Sequence, residues 1–195
     1  MYAYLRGKLT YKSAAQVHLD VNGIGFEINI TLNTYTAVQH LEECKLFTYF
    51  QVKEDGQTLY GFAGKEEKDM FVMLISVSGV GAATARMMLS SLRADEVAAA
   101  LSSGNVRLLE SVKGIGKKTA ERLVLELKDK TGAASEPGSQ NWNKGINTPE
   151  RDATNALIAL GIPPKQAEQS VKKILTAEPD ITKLEDLIKK ALKAI

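Results

Sequence analysis

Cysteine, histidine and tryptophan are scarce in this chain of 195 residues, which has one Cys, two His and one Trp. The lone Cys44 excludes an internal disulfide and any cysteine-cluster zinc site. His18 and His40 lie far apart in sequence, which argues against a metal centre of soft ligands. No apolar run is long enough to span a bilayer, and the start, Met1-Tyr2-Ala3-Tyr4-Leu5-Arg6-Gly7-Lys8, lacks the apolar stretch of a signal peptide. A cytoplasmic protein without membrane contact is the expectation. Charge of one sign is lacking too: 25 Lys and Arg against 23 Asp and Glu leave a formal net charge of +2. The total therefore does not mark a strongly basic nucleic-acid binder.

The distribution of charge says more than its sum. Residues 1–63 carry 5 basic and 6 acidic side chains, 64–130 carry 11 and 9, and 131–195 carry 9 and 8. Within 113–130 six basic residues stand against three acidic ones. Phosphate binding needs such a local patch and not a basic total.

A short phrase occurs twice within residues 64–130, its second copy in the basic stretch. Ser78-Gly79-Val80-Gly81-Ala82-Ala83-Thr84-Ala85 is echoed by Lys113-Gly114-Ile115-Gly116-Lys117-Lys118-Thr119-Ala120, with the copies 35 residues apart (114 minus 79). An apolar helical stretch precedes and follows each copy. A glycine turn between two helices leaves backbone N–H groups at the start of the second helix pointing outward, where unpaired donors and the helix dipole favour an anion. Gly79 and Gly114 would permit the turn geometry, and Gly81 and Gly116 would let a phosphate approach the backbone. Val80 and Ile115 would plug the gap between helices, and Ala85 and Ala120 would allow close packing. One copy has a plain reading as a helix C-cap and a corner. Two copies suggest a grip on two phosphates, one on each strand of a duplex.

Enzyme readings of the same residues fail. A Rossmann fingerprint needs a preceding strand and a glycine where Thr84 and Thr119 stand. An NTPase phosphate loop needs Ser or Thr after Gly-Lys, and Gly116-Lys117 is followed by Lys118. No Ser/His/Asp set, carboxylate pair or metal cluster has convincing spacing. The chain alone is not expected to be an enzyme, and no cofactor is expected.

Alternation of apolar and polar residues predicts strands at Val17–Val21 and Phe26–Ile30, separated by a turn or bulge at Asn22-Gly23-Ile24-Gly25. Further strands are expected over Leu46–Val52 and Thr58–Phe62, turned by Glu54-Asp55-Gly56. Short strands at this density fit a small closed barrel such as an OB-fold. Turn chemistry suffices to explain Glu54-Asp55-Gly56; the functional reading is an acidic tip that repels phosphate backbones. Helical periodicity begins at Glu66–Ile75 and continues through Ala82–Leu92, Asp95–Leu101, Val106–Ser111 and Lys117–Lys130. Residues 131–147, rich in Gly, Ser, Ala and Asn and holding Trp142, read as a flexible linker. After it, a helix starting at Thr148-Pro149 and stopped by Gly161 precedes helices over Lys165–Leu175 and Leu184–Ile195. Such a small bundle usually binds another protein. Leu157, Ile158 and Ile162 are candidates for that contact, although core packing explains them more simply.

The segment Val52-Lys53-Glu54-Asp55-Gly56-Gln57-Thr58-Leu59-Tyr60-Gly61-Phe62, the paired turns, and Gly114 to Leu123 with its Lys-Lys-Thr-Ala-Glu-Arg run resemble the RuvA family, Holliday junction-binding subunits of the bacterial branch-migration complex. The resemblance covers the whole chain. It implies an α+β multidomain protein: an OB-like β-barrel over 1–63, a tandem helix-hairpin-helix domain over 64–130, a linker over 131–147 and a three-helix motor-binding domain over 148–195. It implies a homotetramer, or an octamer of two tetramers, on an open four-way DNA junction in recombination and repair. Each subunit's turns, with Gly79, Gly81, Gly114, Gly116, Lys117, Lys118 and Arg122, would hold the two backbones of one arm. Glu54 and Asp55 would be the family's acidic pin, and residues 148–195 would recruit the RuvB ATPase, with RuvC resolvase as a further partner. One departure stands out: the family's basic residue after the first turn is replaced by Ala82-Ala83-Thr84, so that turn would rely on backbone donors with Arg86 nearby. The competing readings are a general duplex-binding helix-hairpin-helix adaptor for a repair nuclease or polymerase, a single-strand binder using the barrel, and a structure-selective nuclease.

Overall fold

The computed structural model describes residues 2–54, 56–132, 149–178, 181 and 183–194. Two compact units, 1–139 and 140–195, make up the chain.

In the first unit five strands close a barrel: β1 (Tyr4–Lys12), β2 (Gln16–Val21), β3 (Ile24–Ile30), β4 (Glu43–Lys53) and β5 (Gly56–Phe62), ordered β1-β2-β3-β5-β4. All neighbours are antiparallel except β3 and β5, whose parallel pairing, Asn29 with Tyr60 and Ile30 with Gly61, completes the closure. The inward residues Leu5, Leu9, Val17, Leu19, Ile28, Ile30, Leu46 and Leu59 are buried and fill the interior. Gly61 sits at the crowded closure, where an added Cβ would come within 2.5 Å of the Ile28 side chain. Between β2 and β3 the expected turn is the two-residue Asn22-Gly23, both with positive φ, and the Gly23 N–H donates to Asp20 at 2.8 Å.

Two elements of the barrel carry little sequence signal. In β1 the inward alternation Leu5, Gly7, Leu9 is broken by the glycine, and the outward side is polar or aromatic. The helix α1 (Leu32–Val38) is seven residues long and rich in Thr, a residue with modest helix propensity. Its Thr31 cap accepts from the Thr34 N–H at 2.9 Å, and tertiary contacts do the rest.

The helices that follow are α2 (Lys65–Ile75), α3 (Ala82–Ser91), α4 (Ala94–Ser103), α5 (Val106–Glu110) and α6 (Lys117–Gly132). Their core is continuous with the outer face of β4 and β5. Phe71 of α2 packs against Tyr49, Tyr60 and Phe62 with ring centroids 5.5, 5.1 and 4.9 Å apart. Polar bonds reinforce the seam. Glu67 of α2 accepts from the hydroxyls of Thr31 and, at 2.7 Å, Thr34. Asn33 of α1 donates to the carbonyls of Leu89 and Leu92 at the end of α3, at 2.6 and 3.2 Å.

The second unit holds α7 (Pro149–Ala159), α8 (Pro164–Ala177) and α9 (Leu184–Lys193). Ala153, Leu157, Ala167, Val171, Leu187 and Ala191 form its buried core. Gly161 ends α7 with φ +94°, as its position after the last apolar residue predicts. The linker residues 133–147, Trp142 among them, and Thr148 lie outside the described residues.

Candidate nucleic-acid interface

Two helix–turn–helix corners carry the repeated phrase, α2 into α3 and α5 into α6, and their backbones follow one plan. Gly79 and Gly114 both have φ +92°. The Val80 N–H donates to the Val77 carbonyl at 3.0 Å, and Ile115 does the same to Val112 at 3.1 Å. The next helix opens with Ala85 N–H to the Gly81 carbonyl at 2.9 Å in one copy and Ala120 to Gly116 at 3.0 Å in the other. The repeat also starts earlier than the glycines: Ser76-Val77 matches Ser111-Val112. The serine hydroxyls donate to the carbonyls of Met73 and Leu108, each at 2.7 Å. Those hydroxyls add a bond to carbonyls in the last turn of the first helix, where the regular ladder runs out. The signal for this longer repeat was present in the sequence, three residues before each glycine.

Burial follows from this plan. Val77, Val80, Val112 and Ile115 are sunk in the core and lock each corner, while Ala85 and Ala120 are fully buried where the second helix presses on the first. The four glycines face outward, and a Cβ added at Gly79, Gly81, Gly114 or Gly116 would meet nothing within 4 Å. At the start of α3, Gly81 is extended (φ −84°, ψ 167°) and no side chain caps the helix. Backbone donors there are free to meet an anion, with the helix dipole adding to the attraction.

The side chains around the two turns differ. Beside the second turn, Lys113, Lys117 and Lys118 are exposed. Lys117 reaches Glu121 at 4.0 Å and Arg122 pairs with Glu126 at 2.7 Å, both one helical turn away on the surface of α6. Such exposed pairs are weak, about 0.3–0.5 kcal/mol, so a phosphate can compete for the cations. Helix phase turns Lys118 to solvent because Ala120, Leu123 and Leu127 occupy the buried stripe. Lys113, which precedes Gly114 where the first copy has Ser78, adds a cation that the expected set omitted.

In the first turn, Ser78, Ala82, Ala83 and Thr84 stand where the second has Lys113, Lys117, Lys118 and Thr119, so it lacks the cations of the second copy. Arg86 does not supply one: it points to the barrel and donates to the Asn29 side-chain oxygen at 2.9 Å and to the Ala15 carbonyl at 3.3 Å. Glu54 stands exposed at the β4–β5 tip, where Lys53 and Gly56 form the last pair; Asp55 lies outside the described residues. Burial pushes the Glu67 carboxyl up, against the hydrogen bonds from Thr31, Thr34 and the Ala63 backbone. That group belongs to the seam and not to the interface. Among the described residues no His, Cys, Asp and Glu cluster is arranged to hold a metal, and no helix is long and apolar enough to cross a membrane. In the second unit Leu157 is core and Ile162 packs against that core, whereas Ile158 is partly exposed and Leu160 is 64% exposed. Core packing therefore does not account for Ile158.

Comparison with known proteins covers each part of this architecture. Residues 1–61 match the family described as RuvA N terminal domain, residues 71–129 the SAM-like helix-hairpin-helix tandem, and residues 148–195 the RuvA C-terminal domain. A relative from Christiangramia forsetii, named Holliday junction branch migration complex subunit RuvA, is 46% identical over 195 residues, all of both chains. Relatives of the same name from Flavobacterium psychrophilum and Bacteroides thetaiotaomicron are 44% and 42% identical, covering 99% and 100% of each chain.

Proposed function

The chain belongs to the RuvA family, and on that premise we propose that it serves as the non-catalytic, Holliday junction-binding subunit of a branch-migration complex. The observation that carries this reading is the duplicated corner: two turns with the same φ, the same hydrogen bonds and open space over all four glycines. Two such turns on one compact unit would suit the two backbones of one duplex arm. Contacts of that kind read phosphate position and not bases, so binding depends on DNA shape.

Four copies around a four-way junction would match protein symmetry to the four arms. Gly79 and Gly81 would hold one backbone through amides, and Gly114, Gly116, Lys117, Lys118 and Arg122 the other with added charge. Glu54 and Asp55 would gather at the centre and repel phosphates, which disfavours closed duplex and guides strands apart at the crossover. The hydrolysis of ATP would belong to the RuvB partner, recruited by residues 148–195, with RuvC as a further partner of the assembled complex in the cytoplasm. Competition of excess linear duplex against a labelled immobile four-way junction tests the proposal. A junction complex that survives supports it. Duplex that competes one for one would make the protein a general duplex adaptor.

A further inference from the structure

Arg86 lies on α3, one turn beyond Gly81, in a position to reach DNA or the barrel, and it takes the barrel. Its guanidinium donates to Asn29 on β3 and to the Ala15 carbonyl, which also accepts from the Ile30 N–H at 3.0 Å. It therefore grips the point where the β1–β2 loop closes onto β3. Asn29 is in register with Tyr60 of β5, and β5 begins at Gly56, the foot of the acidic tip. The Arg86 charge also acts on Tyr60, favouring the phenolate against the larger, opposing effect of burial.

Packing does not do this job beside Arg86. The seam there opens into a cleft of about 310 Å³ whose walls include Ala14, Ala15, Leu32, Ala83 and Met87. Across this cleft Arg86 makes the polar link between the amino-terminal half of α3 and the barrel. The far end of α3 is held separately, by Asn33 on the Leu89 and Leu92 carbonyls and by the Leu32 N–H on the Ser90 hydroxyl at 3.1 Å. With Arg86 cut, α3 keeps its far anchor and its packing on α2 through Val80, Ala82 and Ala85, but loses its polar tie to the barrel near the end that bears the glycine turn, which can then shift against the barrel.

We infer that Arg86 is a positioning residue, which through Asn29 fixes where the first glycine turn stands relative to the barrel hairpin bearing Glu54. It would thereby help set the preference for junctions over linear duplex. The inference rests on the junction-binding reading and adds to it a residue that touches no DNA. Freedom at one turn costs most where both turns and the tip must fit one fixed DNA geometry, and least on linear duplex.

The test uses the full chain and two substitutions: Arg86→Met removes both bonds to the barrel, and Asn29→Ala removes the shorter one and leaves the bond to the Ala15 carbonyl. Affinity for an immobile four-way junction and for linear duplex of the same sequence is measured by fluorescence anisotropy over a salt series. Each variant should lower the junction-to-duplex preference, Arg86→Met by roughly threefold or more, and the double variant should go no further than Arg86→Met. The salt slope on duplex should stay that of the parent, because no phosphate contact is removed. An unchanged preference in both variants would overturn the inference. So would a slope reduced by about one in Arg86→Met with Asn29→Ala like the parent, which would make Arg86 a phosphate contact. If Arg86→Met does not fold, Asn29→Ala decides the matter. A parent protein with no preference for the junction would sink the functional reading itself, and the inference with it.

Discussion

Gly79 and Gly114 share a backbone angle, φ +92°, and each is followed two residues later by a glycine that opens the next helix. The glycines of each pair do different work, and substitution should separate them. At Gly79 or Gly114 an alanine meets no atom but must adopt a left-handed conformation, at a cost of about 1–2 kcal/mol. At Gly81 the backbone is already extended, φ −84°, so alanine fits without strain, yet its methyl group would take the room that the proposed phosphate contact needs. Thermal melting should show a loss for Gly79→Ala and Gly114→Ala and almost none for Gly81→Ala. Junction titrations should show weakened binding for all three. Undiminished affinity in Gly81→Ala would mean that DNA does not approach this turn.

The cations of the second turn should appear in the salt dependence. Replacing Lys117 and Arg122 together by alanine removes two charges whose present partners, Glu121 and Glu126, lie on the same exposed helix face. Junction binding should weaken, and the slope of log affinity against log salt should fall by about two, near 0.9 for each lost phosphate contact. Stability should hardly move, since exposed pairs of this kind contribute little. A slope equal to the parent's would strike both residues from the phosphate contacts.

The acidic tip should act by repulsion. In Glu54→Gln/Asp55→Asn the shape of the hairpin is kept and the charge removed, so linear duplex should bind more tightly while the junction loses its advantage. Parallel gel-shift competitions of parent and variant read this directly. Identical behaviour would reduce the tip to a soluble turn.

Glu67 should make stability depend on pH with a definite sign. Burial among Thr31, Thr34 and the barrel raises its folded-state pKa above the ordinary value of 4.5, in spite of the hydroxyl bonds that pull the other way. The protonated carboxyl is thus the form the fold prefers. Its contribution is complete below about pH 4.5 and is lost as pH rises through the folded-state value. Urea unfolding of the parent and of Glu67→Gln across this range should show the parent losing ground to the variant as pH increases. A stability difference that stays flat with pH would mean that Glu67 is solvated in the folded protein.

Much of the barrel and of the corners was legible because it rests on local rules. Strands β2 and β3 alternate cleanly about an Asn-Gly turn, and β4 and β5 flank a hairpin tip. The glycine phrases recur with the same spacing, and the buried stripe of α6 follows from its periodicity. Strand β1 was not legible, since Gly7 interrupts its inward face, and α1 was not, since its Thr-rich sequence has no strong helical preference and depends on Thr31, Glu67 and the barrel around it.

The sequence by itself determined the two glycine turns, their steric plugs and the cations placed after the second, because each of these depends on neighbours a few residues away. Only the tertiary structure decided where Arg86 points. Its partners, Asn29 and Ala15, are 57 and 71 residues distant and come within reach only when the barrel closes through the parallel β3–β5 pair. The same holds for Glu67, whose hydroxyl donors lie 36 and 33 residues earlier in the chain. Local pattern cannot tell such a side chain from a solvated one, because its environment is assembled by packing and not by its own segment.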